Sequence, residues 1–182
     1  MVYFDSKFVF CFIFGYNTIN MALLGIKKFN DKVLSKRAKK IRRIDDKIVQ
    51  LARDMAETMK SGRGVGLAAN QVGVMKRIIV MEADFKNQRV LALINPKIVR
   101  RSRKKEIDKE GCLSFPDIYI DIKRSRKIKV KAKNIKGENV VVETEGLMAR
   151  VIQHEIDHLN GIVFYKRLGL IKRILFKKKY LK

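Results

Sequence analysis

The chain has 182 residues, 47% of them hydrophobic, which suits one compact domain with a substantial core. Its 42 basic against 18 acidic residues give a formal charge of +24, which favours polyanionic surroundings such as nucleic acid or an anionic membrane; a lysine-rich surface from a compositionally biased genome accounts for it equally well. The two cysteines, Cys11 and Cys112, form no C-x-x-C pair, which excludes a disulfide framework and implies a reducing compartment.

Residues 1–20 differ from the rest. The apolar run Phe8 to Tyr16 is too short to span a bilayer and lacks a strongly basic flank or a clean small-residue cleavage site. It reads either as a poor signal peptide or as an extension upstream of a start at Met21, where MALLGIKKF resembles the beginning of a cytosolic domain. Lys27 to Arg43 is a basic lead-in with little periodicity. A helix is then expected from Asp45 or Asp46, residues suited to an N-cap and to the positive end of the helix dipole. Ile48, Leu51, Ala52, Met55, Ala56 and Met59 recur at helical spacing, making this N-terminal helix amphipathic, and Ser61-Gly62 ends it.

Gly62 to Gly73 reads GRGVGLAANQVG. Its G-x-G-x-x-A core matches the dinucleotide fingerprint only superficially, because that motif requires a preceding strand and here a helix precedes it. Such a loop can instead bring backbone close to a ligand, and Gln71 adds a side-chain amide able to donate to an oxyanion. Strands are expected at Arg77 to Met81 and Val90 to Ile94, punctuated by Asn95-Pro96, followed by a charged connection from Arg100 to Lys109. The β pattern continues at Tyr119 to Ile122, Ile128 to Ala132 and Val140 to Val142. Ile128 to Lys133 alternates apolar and charged residues as a half-buried strand should, with a hairpin turn at Asn134 to Asn139.

Gly146 to Gly161, GLMARVIQHEIDHLNG, holds both histidines of the chain. His154 and His158 share one helical face, with Leu147 and Val151 on the same stripe, and Glu155 completes H-E-x-x-H: two nitrogen ligands and an adjacent carboxylate for proton transfer. Asn160-Gly161 is the helix stop. No Asp, Glu, His or Cys follows His158, so a third ligand has to come from upstream and the usual protease geometry is lost. A lone cysteine is commonly a small buried hydrophobe, yet Cys112 would complete a Cys-His-His site with a fourth position open to water, the pattern of a catalytic site. The expected fold is α+β: antiparallel β-sheets around a central metal-binding helix, with an N-terminal amphipathic helix and a C-terminal basic tail. From Lys166 that tail carries no acidic residue, and Leu168, Ile171, Ile174 and Leu175 could share a face. It reads either as a helix packed loosely on the domain or as an adaptor for RNA or membrane phosphates.

Taken together, Gly64-Val-Gly-Leu-Ala-Ala-Asn-Gln71, Glu110-Gly-Cys-Leu-Ser114 and Gln153-His-Glu-Ile-Asp-His158 resemble the three ordered motifs of peptide deformylases, over roughly Met21 to Leu168. The resemblance implies removal of the formyl group from N-formylmethionine on nascent polypeptides, in the cytoplasm or in an organelle. It implies one divalent metal, ferrous iron in many members, with zinc, nickel or cobalt as substitutes. Cys112, His154 and His158 would hold the metal and Glu155 would act as general acid/base. Gln71 and the Leu113 backbone N–H would hold the oxyanion, and Gly66, within the Gly64 motif, would contact the substrate backbone. Glu110 would pair with Arg124, and Leu147 and Val151 would line the methionine pocket or belong to the core. Phe29-Asn-Asp-Lys32 lacks the prolines common near the family's N-terminus. On this reading residues 21–168 form the catalytic domain and residues 169–182 a basic tail, which could contact the ribosome. Rival readings are an endopeptidase using the same helix and a basic RNA-binding protein with a vestigial motif.

Overall fold

The computed structural model describes residues 22–84 and 89–181. The extension at residues 1–20, with Cys11, and the candidate start at Met21 lie outside the described residues. In chain order the elements are α1 (Asp46–Ser61), β1 (Gly66–Ala68), β2 (Ile78–Asp84), β3 (Arg89–Arg101), β4 (Lys105–Cys112), β5 (Phe115–Ser125), β6 (Lys127–Lys133), β7 (Asn139–Glu145), α2 (Gly146–Leu159) and α3 (Leu170–Tyr180). Five strands form an antiparallel sheet in the order β1-β2-β3-β6-β7, and β4 pairs with β5 in a separate ribbon.

Strand alternation sorts the core into two layers, one on each side of the larger sheet. Ile79, Met81, Leu91 and Leu93 face one way and pack with Ile152, Ile156 and Leu159 of α2. Ile78, Val80, Ala92 and Ile94 face the other way and pack with Ile48, Met55 and Met59 of α1. Because helices cover both faces, β2 and β3 are continuous apolar runs here even though the sheet is antiparallel. On β6 the alternation is clean, with Ile128, Val130 and Ala132 buried and the intervening lysines out. The α1 start is fixed by Asp45, whose side chain accepts from the Ile48 N–H at 3.0 Å, a cap worth about 1 kcal/mol.

Three local expectations are corrected. Asn95-Pro96 does not end a strand: β3 runs through it to Arg101, with an irregular register between Ile94 and Lys97. Proline has no N–H to give a ladder, so an irregularity is where a sheet tolerates it. The charged stretch Arg100 to Lys109 is only briefly a connection, because β3 extends to Arg101 and β4 begins at Lys105. Both are largely exposed there, which is why lysine and arginine hid them. The glycine-rich stretch is partly ordered too, Gly66–Ala68 forming the edge strand β1 and Ala69–Val72 a 3-10 turn.

Helix α2 lies between the five-stranded sheet and the β4–β5 ribbon. Every residue from Ala149 to Leu159 is buried, although half of that sequence is polar. A third apolar cluster, Leu34, Phe115, Val163, Phe164, Tyr165 and Phe176, closes the end of α2 and attaches α3.

Candidate active site

A helical pitch places His154 and His158 one turn apart on α2, and their Nε2 atoms stand 3.2 Å from each other. Cys112 ends β4, where the register with β5 shifts between Glu110 and Cys112. That shift turns the cysteine toward the helix, leaving its Sγ 3.2 Å from His158 Nε2. The three donor atoms lie within 4.8 Å of one another. Sulfur and nitrogen donors arranged tetrahedrally around one divalent ion are separated by roughly 3.3–3.6 Å, so this set fits such an ion with little movement.

The ring orientation of His154 follows from its neighbour. Glu110 Oε2 lies 2.9 Å from His154 Nδ1, and a carboxylate can only accept, so Nδ1 carries a proton and Nε2 is the atom turned toward the cluster. Burial opposes charge on His154, but the Cys112 sulfur and the Glu110 carboxylate outweigh it and raise its pKa well above the ordinary value. His158 goes the other way: burial first, then the neighbouring His154, hold it well below that value and keep its ring neutral.

Glu110 is itself clamped. Arg124 donates from Nε to Oε1 and from Nη2 to Oε2, each at 2.9 Å, and Arg150 Nη1 reaches Oε1 at 2.8 Å. Burial pushes this carboxyl up, yet the hydrogen bonds and charges of Arg124 and His154 prevail and hold it at about 2. Arg124 also contacts Asp157, which Arg167 contacts from the other side. The charges are therefore paired and hydrogen-bonded, the condition under which buried ions are tolerated.

Glu155 differs from Glu110. It is 4% exposed, and burial drives its pKa up to about 7. Its Oε2 has no hydrogen-bond partner among the described residues. A Cβ at Gly66 would lie 2.7 Å from Glu155 Oε1 and 2.7 Å from Val151 Cγ1, so β1 can approach this carboxylate only as glycine. At Gly64 a Cβ would meet Leu113 Cδ1 at 2.6 Å, a flexible neighbour that could give way. Gln71 is fully enclosed: its Oε1 accepts from the Ala68 N–H at 2.8 Å, while Nε2 points to Ser114 Oγ at 3.2 Å and Cys112 Sγ at 3.5 Å. That amide end is held beside the cluster by its own backbone contact.

One cleft of about 680 Å³ is lined by Gly64, Gly66, Gln71, Cys112, Leu113, Leu147, Val151, His154 and Glu155. His158 is buried beneath it, and Arg124 lies behind Glu110. Val151 belongs to both the core and the cleft wall, whereas Leu147 is 54% exposed at the rim and belongs to no core cluster. Sequence reasoning missed Arg150, Asp157, Arg167 and Ser114. Arg150 stands one helical turn before His154, a spacing that could have marked it; the others act through contacts that only folding creates.

The sequence profile of the family described as "Polypeptide deformylase" matches residues 23–173. A protein of Thermotoga sp. (strain RQ2) named "Peptide deformylase" is 49% identical over 154 residues, covering 85% of this chain and 92% of the relative. A "Peptide deformylase 1" of Burkholderia multivorans is 45% identical, covering 87% and 88%. Among solved structures, the Thermotoga maritima peptide deformylase superposes with a TM-score of 0.77 at 44% identity, covering 81% of this chain and 98% of that one. The peptide deformylase from Synechococcus elongatus, in complex with actinonin, gives 0.81 at 40% identity, covering 87% and 90%.

Proposed function

The chain belongs to the polypeptide deformylase family, a family of metal-dependent enzymes that remove the formyl group from N-formylmethionine on nascent polypeptides, and from that premise we propose how its own residues carry out the reaction. Cys112, His154 and His158 hold one divalent ion, a reading supported by their mutual distances and by the Glu110–His154 bond that turns Nε2 inward. Such an ion would supply Lewis acidity there, making the attacking water easier to deprotonate near neutral pH. Ferrous iron is the proposed native metal, with zinc, nickel or cobalt able to substitute.

Glu155 takes the proton from the attacking water. Burial has already placed its carboxyl near 7, the range in which one group can accept and return a proton at neutral pH. Oxygen attacks the formyl carbon, and the negative charge that forms on the carbonyl oxygen is received by Gln71 Nε2 and the Leu113 N–H. The C–N bond then breaks, Glu155 delivers the proton to the departing amine, and formate leaves. Gly66 and Gly64 let the substrate backbone lie against β1, and Leu147 with Val151 forms the wall for the methionine side chain. Glu110 and Arg124 act as the structural pair that fixes His154.

The catalytic domain is assigned to residues 21–168, with residues 169–182 as a basic tail and residues 1–20 as an extension; the start of the family match at 23 and of α3 at Leu170 favour these bounds, although the match itself runs into α3 as far as residue 173. A cytoplasmic or organellar site of action follows from the substrate. No helix among the described residues is long and apolar enough to cross a membrane. The +24 charge, tail included, supports an electrostatic encounter with the ribosome, where formylated chains emerge.

The observation that carries this reading is the convergence of one thiolate, two imidazoles and a desolvated carboxylate in a single cleft. Its test is anaerobic purification, metal analysis, and formate release from a short formyl-methionyl peptide on the same sample. Stoichiometric metal with formate release is expected. Cleavage of internal peptide bonds with indifference to the formyl group would overturn it, and so would a metal-free protein that binds RNA and releases no formate.

A further inference from the structure

Helix α3 combines two properties that an encounter based on charge alone does not require. Leu170, Ile171, Ile174 and Leu175 are exposed by 65%, 75%, 57% and 59%. At about 100° per residue these four side chains occupy one arc of roughly 140°. The helix is attached by its opposite side, where Phe176 stacks on Tyr165 with centroids 4.8 Å apart and planes inclined by 12°. The aliphatic face therefore points directly away from the body of the protein.

Charge borders that face. Lys177 lies along one edge of the arc, Lys172 and Lys179 lie along the other, and all three are exposed. Lys178 falls within the arc at the last turn, where its long stem can lie along the apolar stripe with the ammonium outside. No acidic residue follows His158. A convex aliphatic stripe edged by lysines is complementary to a flat medium with an apolar interior and an anionic surface. Nucleic acid would reward the lysines and leave the four aliphatic side chains in water.

We propose that α3 docks the enzyme onto an anionic lipid bilayer surface, lying in the headgroup plane with Leu170, Ile171, Ile174 and Leu175 inserted and the lysines on the lipid phosphates. The cleft stays free, because the stripe faces away from the core that carries Cys112, His154 and His158. Binding is peripheral and reversible, since a single short helix gives only interfacial affinity.

The test uses the full chain with vesicles of phosphatidylcholine alone and of phosphatidylcholine with phosphatidylglycerol, read by co-sedimentation. The unaltered protein is expected to bind the anionic vesicles, to release as salt is raised, and to leave the neutral vesicles unbound. The pair Ile171→Asn and Ile174→Asn is expected to lower partitioning about ten-fold or more, with formate release from a soluble peptide unchanged as proof of folding. Lys177→Gln with Lys178→Gln and Lys179→Gln is expected to weaken binding to the anionic vesicles and to flatten its salt dependence. Binding to a single-stranded RNA, measured in parallel, is expected to respond to the lysine variant and not to the isoleucine variant. Failure of the unaltered protein to bind anionic vesicles overturns the proposal. Equal binding by the isoleucine variant overturns it as well, as does self-association through α3 without vesicle binding.

Discussion

Helix α2 buries Arg150, Gln153, His154, Glu155, Asp157 and His158, whereas helix α3 leaves Leu170, Ile171, Ile174 and Leu175 in solvent. Each reverses the ordinary relation between polarity and burial, and the two reversals differ in what sustains them. In α2 most buried polar groups have a partner: Gln153 donates to Ser125 O and Ala149 O, both at 2.9 Å, Arg150 donates to Glu110 of β4, and Asp157 is pinned by Arg124 and Arg167 from other elements. Desolvation is offset there by a network, and the exceptions among the described residues are Glu155 Oε2 and His158 Nδ1, both on the side of α2 that carries the Cys112–His154–His158 cluster. In α3 no network is needed, because exposed aliphatic side chains cost only the packing they forgo. Buried polarity thus marks the reaction site, and exposed apolarity marks a face free to meet something else.

The largest expected effects come from removing the unpaired carboxylate. Glu155→Gln keeps the shape, should retain stoichiometric metal, and should lower kcat by about 10²–10⁴. Its stability should not fall, because an isosteric amide is easier to bury than an ionised carboxylate. Metal content, kcat and a thermal melt on one preparation check all three, and a wild-type rate would remove Glu155 from the mechanism. Gln71→Ala should cost about 10²–10³ in kcat, the usual loss for one oxyanion donor, with the fold intact. A fall confined to KM would show that Gln71 binds substrate without serving the transition state.

The paired carboxylate of the same region should fail differently, through stability first. Glu110→Gln leaves Arg124 and Arg150 facing a neutral amide, a loss of about 3–5 kcal/mol for a broken buried ion pair. Glu110 is held at about 2, below its ordinary 4.5. A carboxyl depressed in the folded state stabilises above its unfolded value and loses that contribution as pH falls through its folded one. The stability gap between wild type and Glu110→Gln should therefore be widest at neutral pH and should close between about pH 4.5 and pH 2. Urea midpoints across that range measure it; a gap independent of pH would mean that packing, not charge, makes the interaction.

How much of this was legible in the sequence depends on how local the cause is. The two histidines and Glu155 of α2 were legible because one helix positions them all, and the α1 start because Asp45 caps it three residues along the chain. Upstream Asp and Glu residues left the third ligand open by residue type alone, and Cys112 was reached because Glu110-Gly-Cys-Leu-Ser114 resembles a motif of the family. The Asp157 contacts were not legible: Arg124 comes from β5 and Arg167 from the turn after α2, and only packing brings them together. The charged ends of β3 and β4 were obscured because their backbones pair while their side chains stay wet. The tail's apolar spacing was visible, but its exposure was not. Leu168 packs with the aromatic cluster, whereas Ile171, Ile174 and Leu175 stand out from it.

The smallest expected effect sharpens the contrast between the two helices. Ile152 of α2 is fully buried and packs on the sheet, so Ile152→Ala should cost about 2–5 kcal/mol through lost burial and the cavity left behind. Ile174 of α3 is the same residue type with more than half its surface in water, and Ile174→Gln should change stability by no more than about 0.5 kcal/mol. Glutamine is at least as good a helix former as isoleucine, so propensity does not confound the comparison. Denaturant midpoints for both variants decide the matter. A cost at Ile174 approaching that at Ile152 would mean that the α3 stripe is packed in solution, and its exposed face would then have an occupant within the protein itself.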